Sequence, residues 1–157
     1  MQLIRRVVLT VPVLGAALFS AASATPRTLP VAAAADTTTI TVRSTSGALA
    51  FNPDLITVKA GSTVRIKYIN ESVFSHNIVI LKKEDDIDPV GAASFDAHDT
   101  GFVPMQFKDK FVAFSPLAGA GKSVEFTFTA PAPGEYPFVC FVDGHYNMMV
   151  GKLKSVK

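Results

Sequence analysis

Residues 130–153 read APAPGEYPFVCFVDGHYNMMVGKL and place three potential metal ligands in one short segment. Cys140 is followed by His145 after four residues and by Met149 after three more. The flanking residues are apolar or β-branched, which is typical of strands, and the loop between them contains a glycine. A short loop between two strands can bring a thiol, an imidazole and a thioether to one point, so the segment predicts a metal site.

A further ligand must come from another strand, and two other histidines are available. His76 begins the apolar run 76–81, whereas His98 lies in the acidic segment 96–99, a poor place for a rigid site. We therefore predict His76 as the second imidazole ligand. Met149 is preferred to Met148 because of its spacing from His145.

The types of ligand favour copper over zinc. Thiolate selects soft or borderline ions, and imidazole suits both metals. A structural zinc site usually has two or more cysteines, whereas Cys140 is the only cysteine here. Two imidazoles and one thiolate in a plane, with a weak axial thioether, are the ligands of a blue-copper site. We predict one type 1 copper ion bound by His76, Cys140, His145 and Met149.

Other uses of the cysteine are less favoured. A lone cysteine in an apolar strand is usually an inert buried thiol, but His145 and Met149 at these spacings argue against that interpretation. A catalytic Cys-His pair would need an orienting third group and a cleft, and would leave two ligands without a role. A binuclear copper site needs two bridging cysteines. We expect no enzymatic activity.

Short alternating runs of apolar and polar residues predict an all-β fold. No long amphipathic helix interrupts them, and this pattern favours a Greek-key β-sandwich or barrel. Residues 83–114 are predicted to form one long excursion with a short helix around residues 89–95. The predicted strands cover residues 39–43, 55–59, 63–70, 76–81, 122–129, 135–142 and 150–156.

The N-terminal residues differ from the rest of the chain. Arg5 and Arg6 precede the apolar run 7–18, and small residues follow up to residue 24. This pattern predicts that residues 1–24 are a signal peptide, with an uncleaved membrane anchor as the alternative. Residues 25–36 are rich in Ala, Pro and Thr and are predicted to be a linker. Residues 37–157 are then the copper-binding domain, exported to the periplasm or another extracytoplasmic location, and membrane-tethered if the anchor is kept.

Composition limits the other functional classes. With 157 residues and 48% hydrophobic content, the chain is long enough for one domain with its own core. The 15 basic and 13 acidic side chains are nearly balanced, and no basic run predicts nucleic-acid binding.

Three segments resemble the cupredoxin family, most closely its azurin and auracyanin branch. Residues 51–70 are similar to the early strands of such domains, and residues 75–79 (SHNIV) are similar to their Gly-His-Asn-Trp-Val ligand strand. The third segment is 130–153, whose spacing of four and three residues between ligands matches the azurin-type loop. The resemblance covers nearly all of residues 37–157. It implies a β-sandwich with copper near one end.

The resemblance also implies roles for residues beside the ligands. Ser75 corresponds to a position whose backbone carbonyl approaches copper, and Asn77 to a residue that ties the two ligand loops together. Asp143 stands where related loops carry proline. Our hypothesis is that its carboxylate favours Cu(II) and lowers the reduction potential.

These observations predict a blue-copper protein that carries one electron between redox partners. His145 is the expected exit for the electron, and transient docking of donor and acceptor is expected around it. We expect a monomer. A copper storage or delivery protein that does not cycle is the alternative function, and a metal-free interaction domain is a third. The predicted docking surface consists of Val73, Phe74, Val142, Tyr146 and Met148. The alternative is that some of these side chains only pack around the site and keep water out.

Overall fold

The computed structural model describes residues 37–45 and 47–157. The predicted leader (1–24) and linker (25–36) lie outside these described residues. Nine strands and one α-helix, α1, form about half of the described chain. Four short 3-10 helices lie at Glu84–Asp86, His98–Thr100, Met105–Lys110 and Val142–Asn147. The strands are β1 (Thr37–Ser44), β2 (Phe51–Asn52), β3 (Leu55–Lys59), β4 (Thr63–Asn70), β5 (Val79–Leu81), β6 (Phe111–Phe114), β7 (Ser123–Thr129), β8 (Gly134–Val139) and β9 (Val150–Val156), and α1 spans Ile87–Ser94.

The strands form two mixed sheets. One has the order β2-β1-β4-β7 and the other β3-β9-β8-β5-β6. The β1–β4 and β3–β9 pairs are parallel, and the remaining pairs are antiparallel. The predicted all-β sandwich is confirmed, and the described residues do not close into a barrel.

The core lies between the sheets because successive side chains of a strand point to opposite faces. In β4, Val64, Ile66 and Tyr68 are buried, while the residues between them are exposed. They belong to the same apolar cluster as Ile56 of β3 and Leu153 of β9.

A second apolar cluster explains why the β5 region is apolar without alternation. Val79 and Leu81 belong to this cluster, whereas Ile80 belongs to the core between the sheets. Val90 of α1 is also in the second cluster. The excursion therefore covers the outer face of the five-stranded sheet, and β5 is buried on both faces. The short helix expected around residues 89–95 is present at Ile87–Ser94.

Three strand predictions need correction. The run 76–81 forms a strand only from Val79, because the backbone before it bonds to other partners. His76 forms a single bridge with Ala118, and the Ile78 amide donates to the Ser115 hydroxyl. The run 135–142 ends as a strand at Val139. Strands β2 and β6 were not predicted; both are short.

None of the helices in the described part of the chain is long and apolar enough to cross a membrane.

Candidate metal centre

Three of the predicted ligand atoms converge at one end of the sandwich. The Nδ1 atoms of His76 and His145 lie 3.5 and 3.6 Å from the Sγ atom of Cys140, and 3.2 Å from each other. The circle through these three atoms has a radius of about 2.0 Å, close to the lengths of about 2.0–2.3 Å that nitrogen and sulfur ligands adopt on zinc, another first-row metal. The three donor atoms are therefore close enough together to bind a single metal ion.

Two connections between strands supply these side chains. His76 lies between β4 and β5, where its amide donates to the Ala118 carbonyl (3.0 Å) and its carbonyl accepts from the Ala118 amide (2.8 Å). Cys140 directly follows β8, and His145 lies in the 3-10 turn Val142–Asn147. The two loops therefore meet because β5 and β8 are paired in the same sheet.

Met149 closes the same loop just before β9. Its amide donates to the His145 carbonyl (2.7 Å), and its carbonyl accepts from the Cys140 amide (3.1 Å). Its side chain is fully buried in the core cluster that also contains Cys140, whereas the neighbouring Met148 is exposed. The loop thus distinguishes the two methionines and keeps only Met149 inside.

Burial keeps the donor atoms uncharged in the absence of a metal. It raises the pKa of the Cys140 thiol to about 11, and lowers the pKa of His76 to about 4, with a smaller contribution from His145. Burial also lowers the pKa of His145, and the Asp143 carboxylate opposes that shift. At neutral pH both imidazoles are free to donate lone pairs, and only the thiol must lose a proton to bind a metal.

Asn77 connects the two ligand loops. Its side chain is fully buried, its Oδ1 accepts from the Phe141 amide (2.9 Å), and its Nδ2 donates to the Gly101 carbonyl (2.8 Å). Asn77 directly follows His76, and its hydrogen bonds connect it to Phe141, which directly follows Cys140, and to Gly101 in the excursion. Ser75, which the resemblance assigned a carbonyl close to the metal, directly precedes His76 and is half-buried.

Asp143 has an unusual backbone conformation for a residue with a side chain. Its φ is 46°, and Gly144 beside it has a φ of 79°. Proline is restricted to a φ near −65°, so this turn excludes the proline found in similar loops. Aspartate and asparagine tolerate the left-handed region better than most residues. Proline at position 143 would therefore require another backbone conformation in this turn.

Helix α1 packs on the ligand loop, a contact that the sequence did not indicate. A Cβ atom on Gly91 would come within 2.6 Å of three ring atoms of Tyr146, so the tyrosine ring lies flat against the glycine. The buried Ser94 hydroxyl lies 3.0 Å from the Phe141 carbonyl, and Phe95 lies beside Gly144. The excursion therefore supports the loop that carries Cys140 and His145.

The third histidine lies away from the ligand cluster, whereas a serine that the sequence did not indicate contacts one of the ligands. His98, the rejected competitor, is exposed, and its ring lies 4.7 Å from that of Phe102, outside the ligand cluster. Ser72 was not singled out by the sequence, although it is buried and its Oγ lies 2.8 Å from Nε2 of His76. A serine four residues before a ligand is too common a feature to have identified it.

Three residues of the predicted docking surface are exposed, and one of them lies beside the half-buried His145. Val73, Phe74 and Met148 are 74%, 61% and 63% exposed, and the Phe74 and His145 rings are 6.4 Å apart. Val142 is only 3% exposed, and the half-buried Tyr146 packs against Gly91, so these two residues follow the alternative of packing around the site and not the docking prediction.

Comparisons with known proteins agree with this geometry. Residues 38–156 match the family described as copper binding proteins, plastocyanin/azurin family. Auracyanin-A of Chloroflexus aurantiacus is 40% identical over 117 residues, which cover 73% of this chain and 72% of the relative. Auracyanin-B of the same organism is 33% identical over 69% of this chain, which spans about half of that longer protein.

Solved structures show the same fold. The structure of auracyanin A, titled a "blue" copper protein, is 38% identical, with a TM-score of 0.74 over 77% of this chain and 100% of that chain. Dithionite-reduced auracyanin from Roseiflexus castenholzii is 34% identical, with a TM-score of 0.71 over 76% and 98% of the two chains.

The family match and the donor set lead to the same cofactor, one type 1 copper ion. A buried thiol with two imidazole nitrogens around one point fits copper, and no carboxylate of the described residues belongs to this cluster. The chain therefore belongs to the plastocyanin/azurin family of copper-binding proteins, the cupredoxins, and to the azurin and auracyanin branch of that family.

Proposed function

We propose that this protein is a blue-copper electron carrier that passes one electron at a time between partner proteins outside the cytoplasmic membrane. His76, Cys140 and His145 are its equatorial ligands and Met149 its axial ligand. The observation that carries the proposal is the triangle of one sulfur and two Nδ1 atoms, with sides of 3.2–3.6 Å, at a buried end of the sandwich. The family match supports the same assignment.

Bound copper supplies the one-electron chemistry by alternating between Cu(I) and Cu(II). The chain holds the donor atoms in place before the metal arrives. His76 and Cys140 are fully buried, and the backbone of the ligand loop is hydrogen-bonded within itself and to Asn77. Because packing and hydrogen bonds fix the positions of the side chains, little rearrangement should accompany a change of charge. A site that is this enclosed favours repeated electron transfer over release of the metal to a recipient.

His145 is the proposed exit for the electron. Its ring is half-buried, and it lies beside the exposed side chain of Phe74. Exposed apolar residues around a redox ligand suit brief docking over a small interface, below about 1,200 Å². We propose that donor and acceptor dock here in turn on a monomer, with Val73, Phe74 and Met148 as the contact residues.

Export is proposed from the sequence of the leader. Arg5, Arg6 and the apolar run 7–18 support a signal peptide or an N-terminal anchor. The anchor would attach the domain to the membrane through residues 25–36. Detection of the mature N-terminus by mass spectrometry after cell fractionation distinguishes the two forms, and recovery of the full-length chain in the cytoplasm would refute both.

The decisive experiment adds Cu(II) to the purified protein and records visible absorption and EPR spectra. We expect an intense visible band from the thiolate, lost in Cys140→Ser, and a reversible one-electron redox titration. A colourless copper-loaded protein would refute the site, and tight binding without reversible reduction would favour storage or delivery.

The adjacent methionines give a matched pair of variants for the axial ligand. Met149→Leu should change the visible spectrum and the reduction potential, whereas Met148→Leu should leave both unchanged because its side chain points to solvent. Equal effects of the two substitutions would contradict the axial assignment.

A further inference from the structure

A buried hydroxyl contacts the Nε2 atom of His76, at the edge of the ring away from the other ligand atoms. Nδ1 of His76 points toward Cys140 and His145, and Nε2 lies 2.8 Å from the Oγ of Ser72. Ser72 is 6% exposed, and His76 is fully buried. The contact is therefore shielded from solvent that could otherwise replace it.

The hydroxyl of Ser72 has a distinct partner for each of its bonding positions. The Phe74 amide donates to Oγ (3.1 Å), and the hydroxyl hydrogen can be donated to the Phe74 carbonyl (3.1 Å). With its only hydrogen used in this way, Oγ has one lone pair left, and it faces Nε2 of His76. An acceptor in that position favours the imidazole tautomer with hydrogen on Nε2, which leaves the lone pair of Nδ1 free.

Asn70 fixes the position of this serine. Its Oδ1 accepts from the Ser72 amide (3.0 Å), and its Nδ2 donates to the Phe74 carbonyl (2.7 Å). Nδ2 also lies 2.9 Å from the Ala118 carbonyl, the residue that bridges to His76. The buried Asn70 side chain thus ties the serine to the same backbone that holds the histidine.

We propose that Ser72 is a positioning residue that holds His76 in the Nε2-protonated tautomer, with Nδ1 directed at the metal, before copper binds. The proposal rests on the proposed ligand role of His76. Histidine ligands generally donate their second ring N–H to a fixed acceptor, and loss of that acceptor typically lowers metal affinity or activity about 10–100-fold. His145 differs, since none of its hydrogen bonds among the described residues involves Nε2.

The first test compares the Cu(II) affinity of three variants by competition with a chelator. Ser72→Ala should raise the dissociation constant about 10–100-fold, and Ser72→Thr, which keeps a hydroxyl, should restore most of the affinity. Ser155→Ala is the control, because the buried Ser155 hydroxyl donates to the Pro131 carbonyl (2.7 Å) and bonds neither Asn70 nor His76. Wild-type affinity in Ser72→Ala, or an equal loss in Ser155→Ala, would overturn the proposal.

The second test needs no substitution and so does not depend on the folding of a variant. Two-dimensional ¹H–¹⁵N spectra of the copper-free protein, with labelled histidine, distinguish the imidazole tautomers. We expect His76 to carry its proton on Nε2 at pH 7, and a proton on Nδ1 would refute the role of Ser72. If the wild-type protein forms no blue site, the proposed function fails instead, and the tautomer result still stands by itself.

Discussion

Replacing the buried Asn77 with alanine should lower the free energy of unfolding of the copper-free protein by about 1–4 kcal/mol. The substitution removes the partners of the Phe141 amide and the Gly101 carbonyl, which are 2.9 and 2.8 Å from the Asn77 side chain. The buried Phe141 amide left without a partner costs about 1–3 kcal/mol, and the half-buried Gly101 carbonyl, which water can reach, adds about 1 kcal/mol or less. The total is a considerable part of the 5–15 kcal/mol that typically stabilises a domain.

The loss should be measured by urea denaturation of the copper-free proteins, with the copper dissociation rate as a second readout. Because Asn77 joins the residue after His76 to the residue after Cys140, copper should leave the variant faster than the wild type. Asn147→Ala is the matched control: its exposed amide makes one hydrogen bond of 3.3 Å in the same loop, so its effect should stay within about 0.5 kcal/mol. A loss below about 1 kcal/mol in Asn77→Ala would refute the argument that the Phe141 amide is left without a hydrogen-bond partner.

Three further predictions concern the loop and its charges. Gly91→Ala should destabilise the fold by about 1–3 kcal/mol and alter the copper absorption band, because the new methyl group displaces the Tyr146 ring. Gly119→Ala, a control position with room for a Cβ atom, should change neither the stability nor the spectrum. An unchanged spectrum in Gly91→Ala would contradict the idea that helix α1 supports the ligand loop. Asp143→Asn keeps a residue that tolerates the positive φ and should raise the reduction potential by up to about 40 mV, equivalent to about 1 kcal/mol, with a smaller rise at high salt. The copper-free protein should lose stability as the pH falls from about 6.5 to 4, since the unfolded chain protonates His76 first; an unchanged Tm between pH 7 and pH 4.5 would refute this.

The sequence predicted best what depends on local pattern. Alternation located β3, β4 and β9 closely, because one face of each strand is buried and the other is exposed. The spacing from Cys140 to Met149 predicted one loop with three potential ligands, since so short a segment leaves few ways to separate them. The ligand assignment itself stays a proposal that the copper titration tests.

The sequence could not predict contacts between segments that are distant along the chain. The packing of Gly91 on Tyr146 joins residues 55 positions apart, and neither residue type has a preference that would indicate the pair. The run from His76 is apolar like a strand, but tertiary hydrogen bonds to Ala118 and Ser115 replace the ladder over its first residues. The left-handed conformation of Asp143 was also hidden, because aspartate occurs in both ordinary and left-handed turns.

The two histidines differ in how the fold supports them, and this difference has a consequence for electron transfer. His76 is fully buried between the Ala118 bridge and the Ser72 hydroxyl, so its position is fixed by both backbone and side chain. His145 is half-buried on a turn with two left-handed residues, and helix α1 supports that turn through Tyr146. A partner that docks at His145, as we propose, would contact the half-buried side of the site, whereas the contacts of His76 with Ala118 and Ser72 lie on the buried side. Docking should therefore leave the contacts of His76 unchanged, which suits a carrier that must meet two different partners with the same site.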